Sequence, residues 1–347
     1  MSFNVEQFLQ HGVIIATLPG KIHIGWGEME WSATPFESKK AFYLPDFFLS
    51  TEEPWLHPQH TQEMGIHEFQ KAMGFMEHPP QISWQAPSSL FFKEQFLFIK
   101  ELITIGELRK GVPIVFEHGE TETGILFKRY LLSHMAQLDF PLRIYGYWDQ
   151  TSGILGLTPE TLFELKTPYQ IKTMALAGTR PRDDKNRAPL LQDKKELNEH
   201  YIVIDEITQI LERWGQVKTQ PTDVLQLPYL EHLKTEIEVK LKQTHEFEEI
   251  VKELHPTPAL GVAPRDAGKK WLSKINTDPD RSRFGAPFGL RNENGTGICL
   301  VAIRNVQWQD KKIKIGSGSG IVHESELNRE WDEQKLKREV VKKMLGI

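Results

Sequence analysis

The sequence predicts an α+β fold, a layered body built on largely antiparallel sheet, and three observations carry that expectation. Short β-like runs punctuated by Pro and Gly recur almost from end to end. They alternate with helical stretches without a regular βα period or an internal repeat, which argues against a doubly wound parallel sheet. Two of the helical stretches, 193–214 and 327–345, are long and place apolar residues at the three-and-four spacing that faces a core.

In chain order, residues 12–16, 21–26 and 41–49 read as strands. The histidine-rich segment 57–67 reads as a solvated loop, because its histidines repeat no metal-ligand spacing. Residues 93–108 read as helix, then 113–117, 142–148, 161–166 and 171–176 as strands, followed by a polar link to Asp193. Val203, Ile207 and Ile210 share one face of the 193–214 helix. Strands at 297–307 and 311–315 lead to the terminal helix, whose inward face is set by Val340, Val341 and Met344.

A chain of 347 residues can bury a large core, in one mixed domain or two smaller ones. The single cysteine, Cys299, excludes an internal disulfide and a thiolate-rich metal site, so any metal is expected on oxygen or, second, on histidine. The net charge of −5 is spread along the chain and leaves no basic footprint for nucleic acid or anionic lipid. No segment has the apolar length of a membrane span or a signal peptide. The expectation is a cytoplasmic protein whose partners are small molecules, with no nucleic acid and no membrane.

Both long helices break their own pattern. Extended backwards, the inward face of the terminal helix carries Lys337, Glu333 and Glu330, and the inward face of the 193–214 helix includes Glu199. An unpaired buried charge is too costly to keep. These carboxylates therefore either pair with buried Arg or Lys, or meet across the two helices on one hard cation. Mg²⁺ suits a site of few carboxylates, several waters and an anionic ligand. Just before the terminal helix, Gly316-Ser317-Gly318-Ser319-Gly320 reads as a turn whose amides approach an anion closely.

Six motifs follow one another along the chain: Gly156-Leu157-Thr158-Pro159-Glu160, Leu176-Ala177-Gly178-Thr179-Arg180-Pro181-Arg182, Lys195-Glu196-Leu197-Asn198-Glu199-His200, His255-Pro256-Thr257-Pro258-Ala259, Val301-Ala302-Ile303-Arg304 and the Gly-Ser run. In this order the chain resembles the chorismate-utilising enzymes: isochorismate synthases, salicylate synthases and the large subunits of anthranilate and aminodeoxychorismate synthases. The resemblance covers roughly residues 90 to 347. It implies a large two-layered α/β sandwich with helices outside, a Mg²⁺-dependent site between the layers and a substrate, chorismate, bearing two carboxylates. It also implies a single domain over 1–347, with 1–90 a variable N-terminal part and 91–347 the catalytic part. By position, Glu199 and Glu333 match magnesium ligands, with Glu330 joining through water. Arg304 matches the arginine that grips a substrate carboxylate, and a planar guanidinium fork suits that task. Lys337 and the amides of Gly318, Ser319 and Gly320 are implied at the same end of the ligand, His255 near its ring, and Gly178 and Thr179 along the pocket.

Family members differ in the nucleophile that attacks the ring. Aminodeoxychorismate synthases usually have a covalent lysine where this chain has Ala177. Water-using members have a lysine four residues after a glycine, and Gly106-Glu107-Leu108-Arg109-Lys110 puts Lys110 there, although the usual Lys-Val-Val-Leu appears as Lys110-Gly111-Val112-Pro113. Ammonia-using members tend to have tyrosine where Phe284 stands. The resemblance thus implies isochorismate synthesis, with Lys110 as general base, Glu160 as general acid and no glutaminase subunit, the product feeding menaquinone or siderophore biosynthesis. A salicylate synthase, an ammonia-using synthase subunit and a non-catalytic chorismate-binding protein are the alternatives.

Overall fold

The computed structural model describes residues 3–137, 141–182, 189–275 and 281–347. From the N-terminus its elements are α1 (Val5–Gln10), β1 (Gly12–Leu18), β2 (Lys21–Ser32), β3 (Ala41–Tyr43), β4 (Trp55–Gly65), α2 (Ile66–Met73), β5 (Ser83–Gln85), α3 (Ser89–Thr104), β6 (Lys110–Gly111) and β7 (Ile114–Glu120). Next come α4 (Ile125–Met135), β8 (Arg143–Trp148), β9 (Ser152–Thr158), β10 (Thr161–Thr167), β11 (Gln170–Pro181) and α5 (Lys194–Glu212). The remainder is β12 (Gly215–Thr219), β13 (Asp223–Gln226), β14 (Leu230–Leu241), α6 (Phe247–Leu254), β15 (Val262–Ala263), α7 (Arg265–Ile275), β16 (Pro287–Arg291), β17 (Gly297–Val301), β18 (Asn305–Gln309), β19 (Lys312–Gly318) and α8 (Leu327–Leu345). No helix among the described residues is long and apolar enough to cross a membrane.

Among the described residues, seventeen strands form one antiparallel ribbon. It runs β5-β7-β19-β18-β9-β8-β1-β2-β4-β3-β16-β17-β10-β11-β14, with β12 and β13 side by side along the far edge of β14. The ribbon doubles over at the long β2–β4 pair. There the register shifts between Trp26 and Met29, and Gly27 takes a φ of 92°, the left-handed conformation a bulge needs. Alternation then assigns the faces. Val13 and Ile15 of β1 pack with Tyr145, Tyr147, Phe42, Phe288 and Leu300 between the layers, whereas Ile14 joins Phe8, Phe69, Leu131 and Val341 under the helices. The molecule is the expected two-layered sandwich with helices outside, and strands of the first ninety residues are built into both layers.

Several elements differ from the expectations. Of 41–49 only Ala41–Tyr43 is strand, because Pro45 cannot donate to a ladder and Leu49, with a φ of 57°, closes a turn on Asp46. The histidine-rich segment is strand β4 running into α2, with Pro58 placed opposite the bulge where a missing donor is tolerated. The 297–307 run is two strands, β17 and β18, with a bend at 302–304. Gly316, Ser317 and Gly318 belong to β19 and not to a turn. Residues 183–188 of the polar link lie outside the described residues.

The helix that positions the acidic motif begins at Asp193. Its carboxylate accepts from the amides of Lys195 (3.1 Å) and Glu196 (3.2 Å) and pairs with Arg329 of α8 at 3.0 Å. Asp193→Ala is expected to lower the unfolding free energy by about 1–2 kcal/mol in urea titrations. Asp193→Asn, which keeps the cap, should recover most of that loss.

Candidate active site

The pocket lies where a bulge in β11, the β9–β10 and β17–β18 connections and the glycine-rich end of β19 deliver polar groups against α5 and α8. In β11 the pairing with β14 slips between Ala177 and Thr179, and Gly178 takes a φ of 77° to make the slip. A Cβ there would stand 3.1 Å from the carbonyl oxygen of Glu196. The bulge turns the Thr179 amide onto Glu196 Oε2 at 3.0 Å and its hydroxyl onto His232 Nδ1 at 3.0 Å. Between β9 and β10, the Glu160 amide donates to Thr158 Oγ1 at 3.1 Å, which fixes Glu160 at the strand end.

Between β17 and β18, Arg304 takes a φ of 55°, a conformation that costs a non-glycine residue about 1 kcal/mol or more. The bend is pinned by Asn305, whose amide donates to Tyr145 Oη (2.8 Å) and to the Ala302 carbonyl (2.7 Å). Arg304 Nη2 meets His232 Nε2, while Nη1 is buried without a partner. A buried guanidinium with an idle donor calls for an acceptor, and a carboxylate-bearing ligand supplies one. His232 is held neutral, its pKa pushed well below the imidazole range by burial first and by Arg304 second.

The C-terminal glycines act by having no side chain. A Cβ on Gly316 would meet Phe284 at 2.6 Å, one on Gly318 would meet Ile114 at 2.7 Å, and one on Gly320 would fall 2.1 Å from Glu199 Oε1 and 2.5 Å from Lys110 Cε. Glu160, Ala177, Gly178, Thr179, Glu199, His232, Phe284, Arg304, Gly318, Gly320 and Lys337 line one pocket. Burial is the main cause that raises Glu160 to about 7, against the pull of Lys110, Arg304 and Lys337. Lys110, in the short β6–β15 pair, is fully buried, so it is no surface lysine at a helix end. Its Nζ is 3.1 Å from Glu199 Oε1, and burial, opposed by that carboxylate, lowers its pKa.

Of the expected residues, Lys110, His255, Ser319, Glu330 and Glu333 are not part of this lining, and Lys110 stands against it through Glu199. His255 is buried against Phe47, its Nε2 donating to the Phe47 carbonyl at 2.7 Å, and it is not among the pocket-lining residues. Ser319 does not line the pocket either; its hydroxyl accepts from Gln334 Nε2 at 3.4 Å. Glu330 and Glu333 sit behind the lining, Glu333 on Lys337 at 2.7 Å, and Lys337 also donates to the Gly318 carbonyl at 2.8 Å.

Sequence reasoning missed His232, Lys195, Gln334 and Arg338. The last two stand one and two turns beyond Glu330 on the buried side of α8. Gln334 donates to the Pro113 carbonyl (3.1 Å) and accepts from Ser317 Oγ (2.8 Å), and Arg338 donates to Ser317 Oγ (2.7 Å) and Glu117 (3.3 Å). The polar face of α8 therefore docks on β7 and β19 by hydrogen bonds. Lys195 lay inside a motif already singled out, and its spacing of four from Glu199 was the available signal.

Lys195 is the centre of the acidic cluster. Its Nζ lies 3.3 Å from Glu196 Oε1, 3.1 Å from Glu199 Oε2 and 3.0 Å from Glu330 Oε1. Glu330 is fully buried and its Oε2 has no donor. Burial, together with neighbouring carboxylates, raises Glu330 to about 7 and Glu196 to about 8. Among the described residues no three His, Cys, Asp or Glu side chains form a metal-binding group by themselves. Mg²⁺ needs only one or two protein carboxylates, with water and an anionic ligand filling the rest. An oxygen-only set with an idle carboxylate oxygen on Glu330 fits that requirement.

The chorismate binding enzyme family matches residues 129–346, which include every candidate residue except Lys110. The salicylate biosynthesis isochorismate synthase of Pseudomonas aeruginosa is 31% identical over 200 residues, 55% of this chain and 42% of that protein. The vibriobactin-specific isochorismate synthase of Vibrio cholerae is 29% identical over 208 residues, 57% of this chain and 52% of that protein. The chain spans about half the length of these curated relatives. MenF, the menaquinone-specific isochorismate synthase of Escherichia coli, has the same fold, with a TM-score of 0.82 at 18% identity over 99% of this chain and 92% of that one. With the family matching well over half of the residues, the protein belongs to the chorismate binding enzyme family.

Proposed function

We propose that the protein is a magnesium-dependent isochorismate synthase, which adds water at C2 of chorismate and releases the C4 hydroxyl in a reversible reaction. The observation that carries this reading is a buried carboxyl raised to about 7 in a pocket that also holds an arginine with an idle donor, with a buried lysine of lowered pKa set against the pocket-lining Glu199. Lys110 in its neutral form takes a proton from the attacking water, and Glu160 in its protonated form donates to the departing hydroxyl. Arg304 holds a substrate carboxylate, and Lys337 with the backbone of Gly318 and Gly320 orients the same end. Mg²⁺ would be held by Glu199 and Glu333, with Glu330 through water, and would supply positive charge to the ring carboxylate. Ala177 offers no nucleophile for a covalent lysine route, and a water-using enzyme needs no glutaminase partner. Phe284 packs edge-on against Phe116, with ring centroids 5.7 Å apart, and keeps that wall of the pocket apolar.

The pH dependence follows from the direction of each shift. Glu160 must carry its proton, so forward kcat/KM should decline as pH rises through about 7. Lys110 must be neutral, so activity should also decline at the acid end, and the profile is a bell. A rate that stays flat well above neutrality would count against Glu160 as the acid.

Incubation with chorismate and Mg²⁺ should yield isochorismate. Fluorescent salicylate with pyruvate would instead mark a salicylate synthase, and no turnover a binding protein. Lys110→Met and Glu160→Gln should each lower kcat by about 10²–10⁴-fold while calorimetry finds chorismate still bound. Wild-type turnover in either variant would remove that residue from the mechanism. Glu199→Gln should weaken Mg²⁺ binding in the same calorimeter at least tenfold, on the order expected when a ligand of a hard cation loses its charge.

A further inference from the structure

The guanidinium of Arg304 has one side-chain hydrogen-bond partner among the described residues, Nε2 of His232, and Glu160 acts on it by charge alone. His232 belongs to β14. The slip in the β11 pairing sets Thr179 directly opposite His232, so both side chains stand on one face of the sheet. All three residues are buried and line the pocket.

The partners of the ring leave one placement for its proton. A guanidinium only donates, so Nε2, which faces Arg304, carries no hydrogen and accepts. The ring is therefore neutral, and its proton sits on Nδ1. Thr179 Oγ1, 3.0 Å from Nδ1, accepts from it, and the Gly178 carbonyl, which never donates, is a second acceptor for the ring. Burial and the cations Arg304 and Lys337 oppose a second proton, and of the charged groups that act on the ring only Glu199 favours one.

A neutral acceptor suits this position. A carboxylate on Nη2 would cancel the charge that a ligand is to meet, whereas an imidazole fixes the guanidinium and leaves that charge in place. Nη1 stays buried without a partner. An arginine already held at one edge also loses less rotamer freedom when the ligand arrives.

We propose that His232 is a positioning residue: locked by the β11 bulge with its proton on Nδ1, it holds Arg304 by Nη2 and so presents Nη1 to a carboxylate of the substrate. The proposal rests on the function proposed above, which supplies that carboxylate. Substitutions at His232 separate its two ring nitrogens, because a glutamine amide reaches the place of Nε2 and an asparagine amide the place of Nδ1. In the Mg²⁺-dependent assay, His232→Phe should raise KM for chorismate about tenfold or more, as expected when a hydrogen bond to a charged group is lost, and should lower kcat by a smaller factor. His232→Gln, which still accepts from Arg304, should recover most of the KM. His232→Asn, which can still donate to Thr179, should not.

A folded His232→Phe protein with KM within about twofold of wild type would overturn the proposal. Equal losses in all three variants would reduce His232 to a packing role, and recovery by asparagine in place of glutamine would reduce it to a brace for Thr179. Nitrogen-15 spectra of the histidine-labelled protein, with the His232 signals identified by their absence from His232→Gln, read the ring directly. They should show a neutral ring protonated on Nδ1; a proton on Nε2 would overturn the proposal without reference to any substrate. Wild-type protein that does not turn over chorismate would sink the functional reading instead, and the ring spectrum would then decide the His232–Arg304 contact alone.

Discussion

The buried ammonium of Lys195 is the constraint on which the rest of the site depends. Three carboxylates from α5 and α8 converge on it, and each is almost wholly removed from water. Breaking such a cluster leaves an uncompensated buried charge and costs about 3–5 kcal/mol. Glu196, one of the three, also receives the Thr179 amide, so the same ammonium ties the β11 bulge to both helices. Arg329 closes the arrangement from the outside by bridging Glu196 and Asp193, the cap of α5. Helices far apart in sequence are thereby held at a fixed separation over the strand ends. A hard cation entering between them would meet carboxylates already in place.

Where the site is not made by charge it is made by the lack of side chains. Gly178, Gly316, Gly318 and Gly320 each occupy a point where one more carbon would strike a neighbour. Only Gly178 also uses a left-handed conformation. The other three stand where the extended C-terminal segment passes close to Phe284, Ile114, Glu199 and Lys110. Arg304 is the opposite case, a bulky residue held in the left-handed region by the Asn305 and Tyr145 hydrogen bonds beneath it. Strain at that point leaves a guanidinium donor idle inside the pocket, which is what recognition of a carboxylate requires.

Periodicity and motif order made much of this legible. The terminal helix stands at Leu327–Leu345 as read, α5 differs from its expected span by a residue or two at each end, and the strands around Glu160 and Thr179 lie near their expected places. Misreadings came where local chemistry has two outcomes. Histidine and proline in β4 looked like loop residues because their partner strand, β2, cannot be inferred from local pattern alone. Gly316–Gly318 looked like a turn because glycine is a turn former, yet the run is straight strand against β7. His255 lies in a motif of the resemblance, but its ring is already hydrogen-bonded to Phe47.

By itself the sequence determined the α+β class, the two acidic helices and the family, because these depend on residue spacing within single segments. It also marked Lys110, Glu160, Glu199, Arg304 and Lys337 as chemically unusual. Only the tertiary structure decided that Lys110 shares Glu199 with Lys195, that His232 links Thr179 to Arg304, and that Phe284 meets Phe116 beside the pocket. Most of those contacts join segments 53 or more residues apart, and the rest take their strength from burial. Their physical causes, desolvation and close approach, do not exist until the layers have closed.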